Sequence, residues 1–267
     1  MVIRAGTPQG QALGRMEFSL GIGEWAELDP HWRSRGLSAP FNRLYLVDSG
    51  GGTLWTEHQI IKMEPGMAYL LPAGLPCSYD CDVFLNKLFF HFNLYKPDRY
   101  DILWGSREIG CVPMEPGAVR ALRGCLESEG MLAALELQQG VMALLLRWLR
   151  SSGWEVDCGE PYSPDVADTI AYIRQNLSAR LRVEDLARRR FVSRTHLTEA
   201  FRRETGVTLG RYIDDQLILE AQRRMSQTDR PVGEISRELG FCDQFYFSRR
   251  FTQLTGMNPL EYRRNFR

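Results

Sequence analysis

Residues 191–212 read F-V-S-R-T-H-L-T-E-A-F-R-R-E-T-G-V-T-L-G-R-Y, and residues 241–262 read F-C-D-Q-F-Y-F-S-R-R-F-T-Q-L-T-G-M-N-P-L-E-Y. A shift of fifty positions lays Phe191 on Phe241, Phe201 on Phe251, Thr205 on Thr255, Gly206 on Gly256 and Tyr212 on Tyr262. His196 with Tyr246, Leu197 with Phe247 and Thr198 with Ser248 are softer matches. Recurrence at a fixed period marks two copies of one supersecondary unit. Ser193 and Asp243 are residue types that cap a helix at its start. Thr208 and Asn258 repeat that signal just beyond the glycine that stops the helix. Each unit therefore reads as a short helix, a tight turn and a longer helix: 183–189 then 193–205, and 232–239 then 243–255. That is the helix-turn-helix layout.

The longer helix of each unit separates its faces. Leu197, Ala200 and Phe201 turn to a core in the first copy, as do Phe247, Phe251 and Leu254 in the second. The opposite face carries Arg194, Thr195, Thr198, Glu199 and Arg202, and then Gln244, Phe245, Ser248, Arg249 and Thr252. Arg, Gln, Ser and Thr bond base edges and phosphates, and an aromatic ring meets a thymine methyl. The spacer 208–227 has apolar residues at Leu209, Ile213, Leu217 and Ala221, which predicts one continuous helix. About 19 residues at 1.5 Å each give ~28 Å. That length suits two recognition helices set roughly one DNA turn, ~34 Å, apart.

Charge supports a polyanionic partner. Residues 165–267 hold 19 arginines and no lysine against 14 acids, whereas residues 1–164 hold 14 basic and 19 acidic side chains. The zero net charge of the 267-residue chain conceals a basic C-terminal part and an acidic N-terminal part.

Upstream the pattern changes from helices to strands. Residues 43–48 read as a strand, Ser49-Gly-Gly-Gly52 as a turn, and 53–57 as the next strand. Breaks follow at Glu64-Pro65-Gly66 and Pro72-Ala-Gly74, on either side of a strand at 68–71. Residues 86–93 alternate, with Lys87, Phe89, His91 and Asn93 on one face and Leu88, Phe90 and Phe92 on the other. Many short strands between Gly/Pro turns predict a small antiparallel barrel or jelly roll. From about 115 to 150 the period becomes helical, through Val119, Leu122 and Leu126 and then Leu137, Val141, Leu144, Leu145 and Trp148. The fold class is α+β, in four parts: a β domain at 1–113, a helical element at 114–152, a linker at 153–164 and an all-α domain at 165–267.

The C-terminal residues resemble the AraC/XylS family of transcription regulators. The resemblance rests on Tyr246-Phe247-Ser248-Arg249-Arg250-Phe251 and Gly256-x-x-Pro259-x-x-Tyr262-Arg263, preceded by Ile235-x-x-x-x-Gly240-Phe241. In the first unit, Leu186-Ala187 stands ahead of Ser193-x-x-His196-Leu197-x-x-x-Phe201. Glu199 departs from the basic residue common there, and Ser236 from the usual alanine. The resemblance implies a cupin-like effector domain, a helical dimerisation hairpin and a double helix-turn-helix domain. It further implies a cytoplasmic homodimeric regulator of double-stranded DNA. Activation of carbohydrate-utilisation genes is the expected role, with RNA polymerase as a further partner. The DNA-binding residues would be Arg194, Thr195, Thr198, Glu199, Arg202, Gln244, Phe245, Ser248 and Arg249. By the same resemblance the strands hold an effector, expected to be a sugar, on Arg43, Tyr45, Tyr79, Lys87, Phe89 and His91. Trp32 and the arm before it are candidates to close over it.

Other classes are less well supported. Cupin metal chemistry is usually built from two closely spaced histidines, a carboxylate and a distant histidine. The chain has four histidines (31, 58, 91, 196) and no H-x-H, so no catalytic residue, metal ligand or cofactor is expected. A cupin enzyme fused to a DNA-binding tail would reveal itself by stoichiometric metal. A constitutive DNA-binding scaffold would answer to no small molecule. Six scattered cysteines lack C-x2-C spacing and suit a reducing compartment. No run of ~18 uninterrupted apolar residues predicts a membrane span, and residues 1–20 lack a basic segment followed by an apolar run.

Overall fold

The computed structural model describes residues 16–96, 100–154, 162–255 and 257–265. The chain divides into two compact units, Met1–Asp157 and Cys158–Arg267. The predicted linker lies mostly outside the described residues, as does Gly256.

The first unit is a seven-stranded antiparallel sheet followed by two helices. The strands are β1 (Glu17–Leu28), β2 (Arg33–Leu37), β3 (Asn42–Trp55), β4 (Ile60–Met63), β5 (Met67–Leu71), β6 (Cys77–Tyr95) and β7 (Gly110–Pro113). Their order is β1-β6-β3-β5-β7, with β2 alongside β6 and β4 alongside β3. Among the described residues no pair joins β1 to β7. The register sets Arg43 opposite His91, Leu44 opposite Phe90 and Tyr45 opposite Phe89. Opposed residues share a face, so the alternation read from residues 86–93 extends across the sheet. Leu44, Leu46, Ala68, Leu70, Leu88, Phe90 and Phe92 form one buried face. Against it pack Val119 and Leu122 of α1 (Ala118–Leu126) and Leu137, Val141, Leu144, Leu145 and Trp148 of α2 (Met131–Ser152).

The reading of Ser49-Gly-Gly-Gly52 as a turn is overturned. β3 runs unbroken through it, and the glycines form bulges in the pairing with β6. Gly50 has φ +77°, and a Cβ there would lie 2.1 Å from the Phe84 carbonyl oxygen. Here the glycines let two backbones touch along a bending strand, a role that composition alone does not separate from turning the chain. Beyond His91, Asn93 leaves the open face for a buried network. Its amide and that of Asn42 both donate to the Asp101 carboxylate, at 3.0 and 2.8 Å, which also accepts from the Leu94 and Leu103 N–H groups.

Helix α2 is long and apolar enough, by length and composition, to cross a bilayer. Its buried stripe is committed to the sheet, and Glu136, Arg147 and Arg150 interrupt the rest.

The second unit is seven helices among the described residues: α3 (Pro164–Gln175), α4 (Val183–Arg189), α5 (Arg194–Thr205), α6 (Leu209–Gln227), α7 (Val232–Glu238), α8 (Gln244–Thr255) and α9 (Pro259–Asn265). All four expected caps form. Ser193 accepts from the His196 N–H, Thr208 from Arg211, Asp243 from Phe245 and Tyr246, and Asn258 from Glu261. The repeat also reproduces one packing contact. Phe201 meets Tyr212 and Phe251 meets Tyr262 edge-on, at 5.2 and 5.4 Å between ring centres. Each such pair contributes about 0.5–1.5 kcal/mol beyond its buried area.

The fifty-residue shift fails in one place, the turn. Val192 donates to the Ala187 carbonyl, and Phe241 to that of Ser236, so these are the equivalent pairs. Phe191 therefore corresponds to Gly240, not to Phe241. Both take the left-handed conformation, φ +56° and +81°. Phe191 is 97% exposed, while Phe241 is buried. The second turn holds one residue more before its cap, and a matched letter hid the slip.

These two positions predict opposite signs. Phe191→Gly should raise unfolding stability by about 1 kcal/mol, because glycine removes the steric cost of positive φ. Gly50→Ala should lower it by about 2 kcal/mol or more, through clash and strain. Denaturant melts of the two variants against the parent chain check both.

Candidate nucleic-acid interface and effector site

Helices α5 and α8 are held from behind by the packing of Leu197, Phe201, Phe247 and Phe251, all fully buried. What they turn outward is therefore fixed. Arg194, Thr195, Glu199, Arg202, Gln244, Phe245, Arg249 and Thr252 are exposed, and Thr198 and Ser248 are half-buried. Leu254, assigned to the core from its spacing, is only half-buried. Phe245 is 76% exposed, an unusual position for a phenylalanine with no apolar cover.

The cationic groups on these helices differ in their freedom. Arg194 is paired with Glu184 of α4 at 3.2 Å. Arg250 is tied to Asp214 of α6 and bonds Gln253 at 2.8 Å, so it braces the scaffold. Arg190, in the first turn, grips Asp165 at 2.9 Å and Asp168 at 2.6 Å, anchoring α3. Arg202 and Arg249 have no ion pair among the described residues. The side-chain hydroxyls are partly spent, since Thr198 donates to the carbonyls of Arg194 and Thr195 and Thr252 to that of Ser248. Their oxygens still accept. The spacer α6 is a single 19-residue helix with Leu209, Ile213, Leu217 and Ala221 buried.

In the first unit the register gathers all six side chains expected at an effector site. Arg43 and Tyr45 on β3 face His91 and Phe89 on β6, with Lys87 opposite Val47. Tyr79, beyond the bulge, joins through Trp32, whose ring stacks on it at 4.2 Å and meets Tyr45 edge-on at 6.0 Å. The Lys87 Nζ lies over the Tyr45 ring at 3.2 Å and over Trp32 at 3.9 Å. Such contacts are cation–π in kind when the amine is charged. Phe41 stacks on His91 at 4.4 Å. Phe41 was missed in the sequence although it lies two residues before Arg43, on the same side by alternation, because it stands just ahead of the strand, after Pro40.

The electrostatics of this face are one-sided. Arg43 is 1% exposed; its Nη2 donates to the Leu37 carbonyl at 3.3 Å, and a side-chain hydrogen bond links the guanidinium to Tyr45. Its Nε and Nη1 are buried without a partner, as is the Nδ1 of His91. Burial, then the charge of Arg43, holds the Lys87 ammonium well below its ordinary pKa. Burial, then Arg43 and Lys87, pushes the His91 imidazole down to about 3. Burial raises the Tyr45 and Tyr79 phenols, against the opposing pull of Arg43.

The family described as a helix-turn-helix domain matches residues 186–265. The MmsAB operon regulatory protein of Pseudomonas aeruginosa is 30% identical over 275 residues, covering 96% of this chain and 85% of that protein. This chain belongs to the AraC/XylS family. The arabinose operon regulatory protein of Escherichia coli is 30% identical over 138 residues, 51% of this chain and 47% of its own length. The match to its Salmonella typhimurium counterpart spans 37% of that protein. These two alignments cover less than half of those regulators. Among solved structures, ToxT from Vibrio cholerae aligns over 94% of this chain and 99% of its own, with TM-score 0.54 at 13% identity, a likeness of fold. As a member of the AraC/XylS family the chain carries the helix-turn-helix domain of a DNA-binding transcription regulator at residues 186–265.

In this regulator, His91 should stay neutral from pH 8 to pH 5, with no imidazole titration by NMR in that range. Its depressed pKa stabilises the fold fully above the unfolded value of about 6.5. That contribution is lost as pH falls toward about 3. His91→Phe should flatten this part of the acid-unfolding profile. A titration midpoint near 6.5 in the folded protein would contradict the burial.

Proposed function

We propose that this AraC/XylS regulator is an effector-responsive activator, cytoplasmic and homodimeric, that docks α5 and α8 in successive major grooves of its operator. The observation that carries the reading is the repeated helix face: two capped, rigidly packed helices, each presenting arginine and short polar side chains outward, separated by a 19-residue helix. Arg249, exposed and without an ion pair among the described residues, is the side chain best placed to read a base edge. Arg194, Thr195, Thr198, Glu199, Arg202, Gln244, Phe245 and Ser248 complete the proposed contact set. Glu199 suits a cytosine amine rather than a phosphate.

The effector limb of the proposal draws on the six side chains gathered around Lys87, and on the similarity to an arabinose operon regulator. A small molecule seated there changes half-site occupancy by binding one conformational state more tightly than the other. Carbohydrate-utilisation genes are the proposed targets, with RNA polymerase contacted at the promoter. Dimerisation is assigned to α2, whose Met131, Leu132, Leu135 and Leu146 remain exposed after its other face is buried.

Operator binding by the full chain should weaken steeply with salt, as arginines displace phosphate counterions. Arg249→Ala should cost about 1–3 kcal/mol of DNA affinity and relax base preference at one position of one half-site. Footprinting and salt titration of the parent chain and the variant measure both. An unchanged footprint and affinity would remove α8 from the interface. Sedimentation as a monomer at micromolar concentration would remove the dimer.

A further inference from the structure

We propose that the group around Arg43 and Lys87 receives the carboxylate of a small organic acid, so that the effector is an anion rather than a neutral sugar. The proposal rests on the reading of the chain as effector-responsive and names the chemistry that its site selects.

The argument begins with an imbalance. Two basic side chains, Arg43 at 1% and Lys87 at 3% exposure, are buried on one face of the sheet. Among the described residues no carboxylate pairs with either. The groups acting on Arg43 are Tyr45, Cys77 and Tyr79, and those acting on Lys87 are Arg43 and Cys81. Buried charges are ordinarily paired and fully hydrogen-bonded, because an unmet one is costly. A guanidinium has five N–H donors, and here only the Nη2 end is satisfied. The buried carboxylate of Asp101 accepts from two amides and two backbone N–H groups.

The neighbouring chemistry selects the kind of anion. Trp32, Phe89 and His91 are only half-buried, whereas Arg43, Tyr45 and Lys87 lie deeper. A ligand entering past the rings meets Arg43 with its acidic end and leaves its body against Trp32, Phe41 and Phe89. Lys87 sits over the Tyr45 and Trp32 rings, which favour its charged form. An anion beside it would favour that form further, reversing the effect of burial and of Arg43. A neutral sugar has hydroxyls for the unmet N–H donors but no charge to balance the two bases.

The test compares ligands that differ by one charge. The full-length chain is melted, at constant ionic strength, with benzoate or benzamide, L-lactate or L-lactamide, and D-galacturonate or D-galactose. At about 100 times its dissociation constant a bound acid raises the melting midpoint by several degrees. The expected result is a rise with at least one acid, none with its neutral partner, and loss of the rise in Arg43→Met and Lys87→Met. Both variants should melt cooperatively, at or above the midpoint of the unliganded parent, since each removes an unpaired buried base. Stabilisation by neutral members alone would overturn the carboxylate and leave the effector reading standing. Silence from every acid, or a large loss of stability in both variants, would overturn the proposal and make the two bases structural.

Discussion

The pairing of β3 with β6 is the constraint on which the first unit depends. Nineteen residues of β6 hydrogen-bond to β3 on one side and to β1 and β2 on the other. Because successive side chains point to opposite faces, a single register decides two things together. Leu88, Phe90 and Phe92 meet Leu44 and Leu46 under the helices, while Lys87, Phe89 and His91 meet Arg43 and Tyr45 on the other side. A slip of one residue would exchange the apolar core for the cationic face. The Gly50 and Gly52 bulges pin that register, since both backbones approach too closely there for any side chain.

The second unit obtains its rigidity differently. Short helices are marginal alone and hold their form through caps and tertiary packing. Here each recognition helix has a side-chain cap at its start and an aromatic pair on its buried face, and the two copies use the same parts. Ion pairs then bind neighbouring helices together. Arg190 reaches α3, Arg250 reaches α6, and Glu238 of α7 accepts from Arg224 and Arg230. Much of the arginine excess is thus structural, and charge counting alone overstates the number of arginines left for phosphate. Arg202 and Arg249 stand apart from this bracing.

Local signals were legible wherever one residue type has one physical use. Ser193, Thr208, Asp243 and Asn258 cap helices as read, and the alternation from residue 86 gave the correct faces as far as Phe92, Asn93 alone departing from it. Glycine was misread at 50–52 because it serves equally in a turn and in a bulge. Phe191 was misaligned because an identical letter outweighed a one-residue difference in turn length, which only the hydrogen bonds of Val192 and Phe241 disclose.

By itself the sequence determined the double helix-turn-helix unit, its spacer helix and the two faces of its longer helices. Those features follow from caps and periodicities within a few residues of each other. It also determined that Arg43, Lys87 and His91 lie on one side of their strands. Only the tertiary structure decided that these strands are neighbours in the register that brings the bases together, and that Trp32 and Phe41 cover them. It alone decided which arginines are spent on carboxylates and which buried nitrogens go unmet. Pairing across strands forty residues apart, and the desolvation it imposes, are properties of the packed sheet that no local pattern encodes.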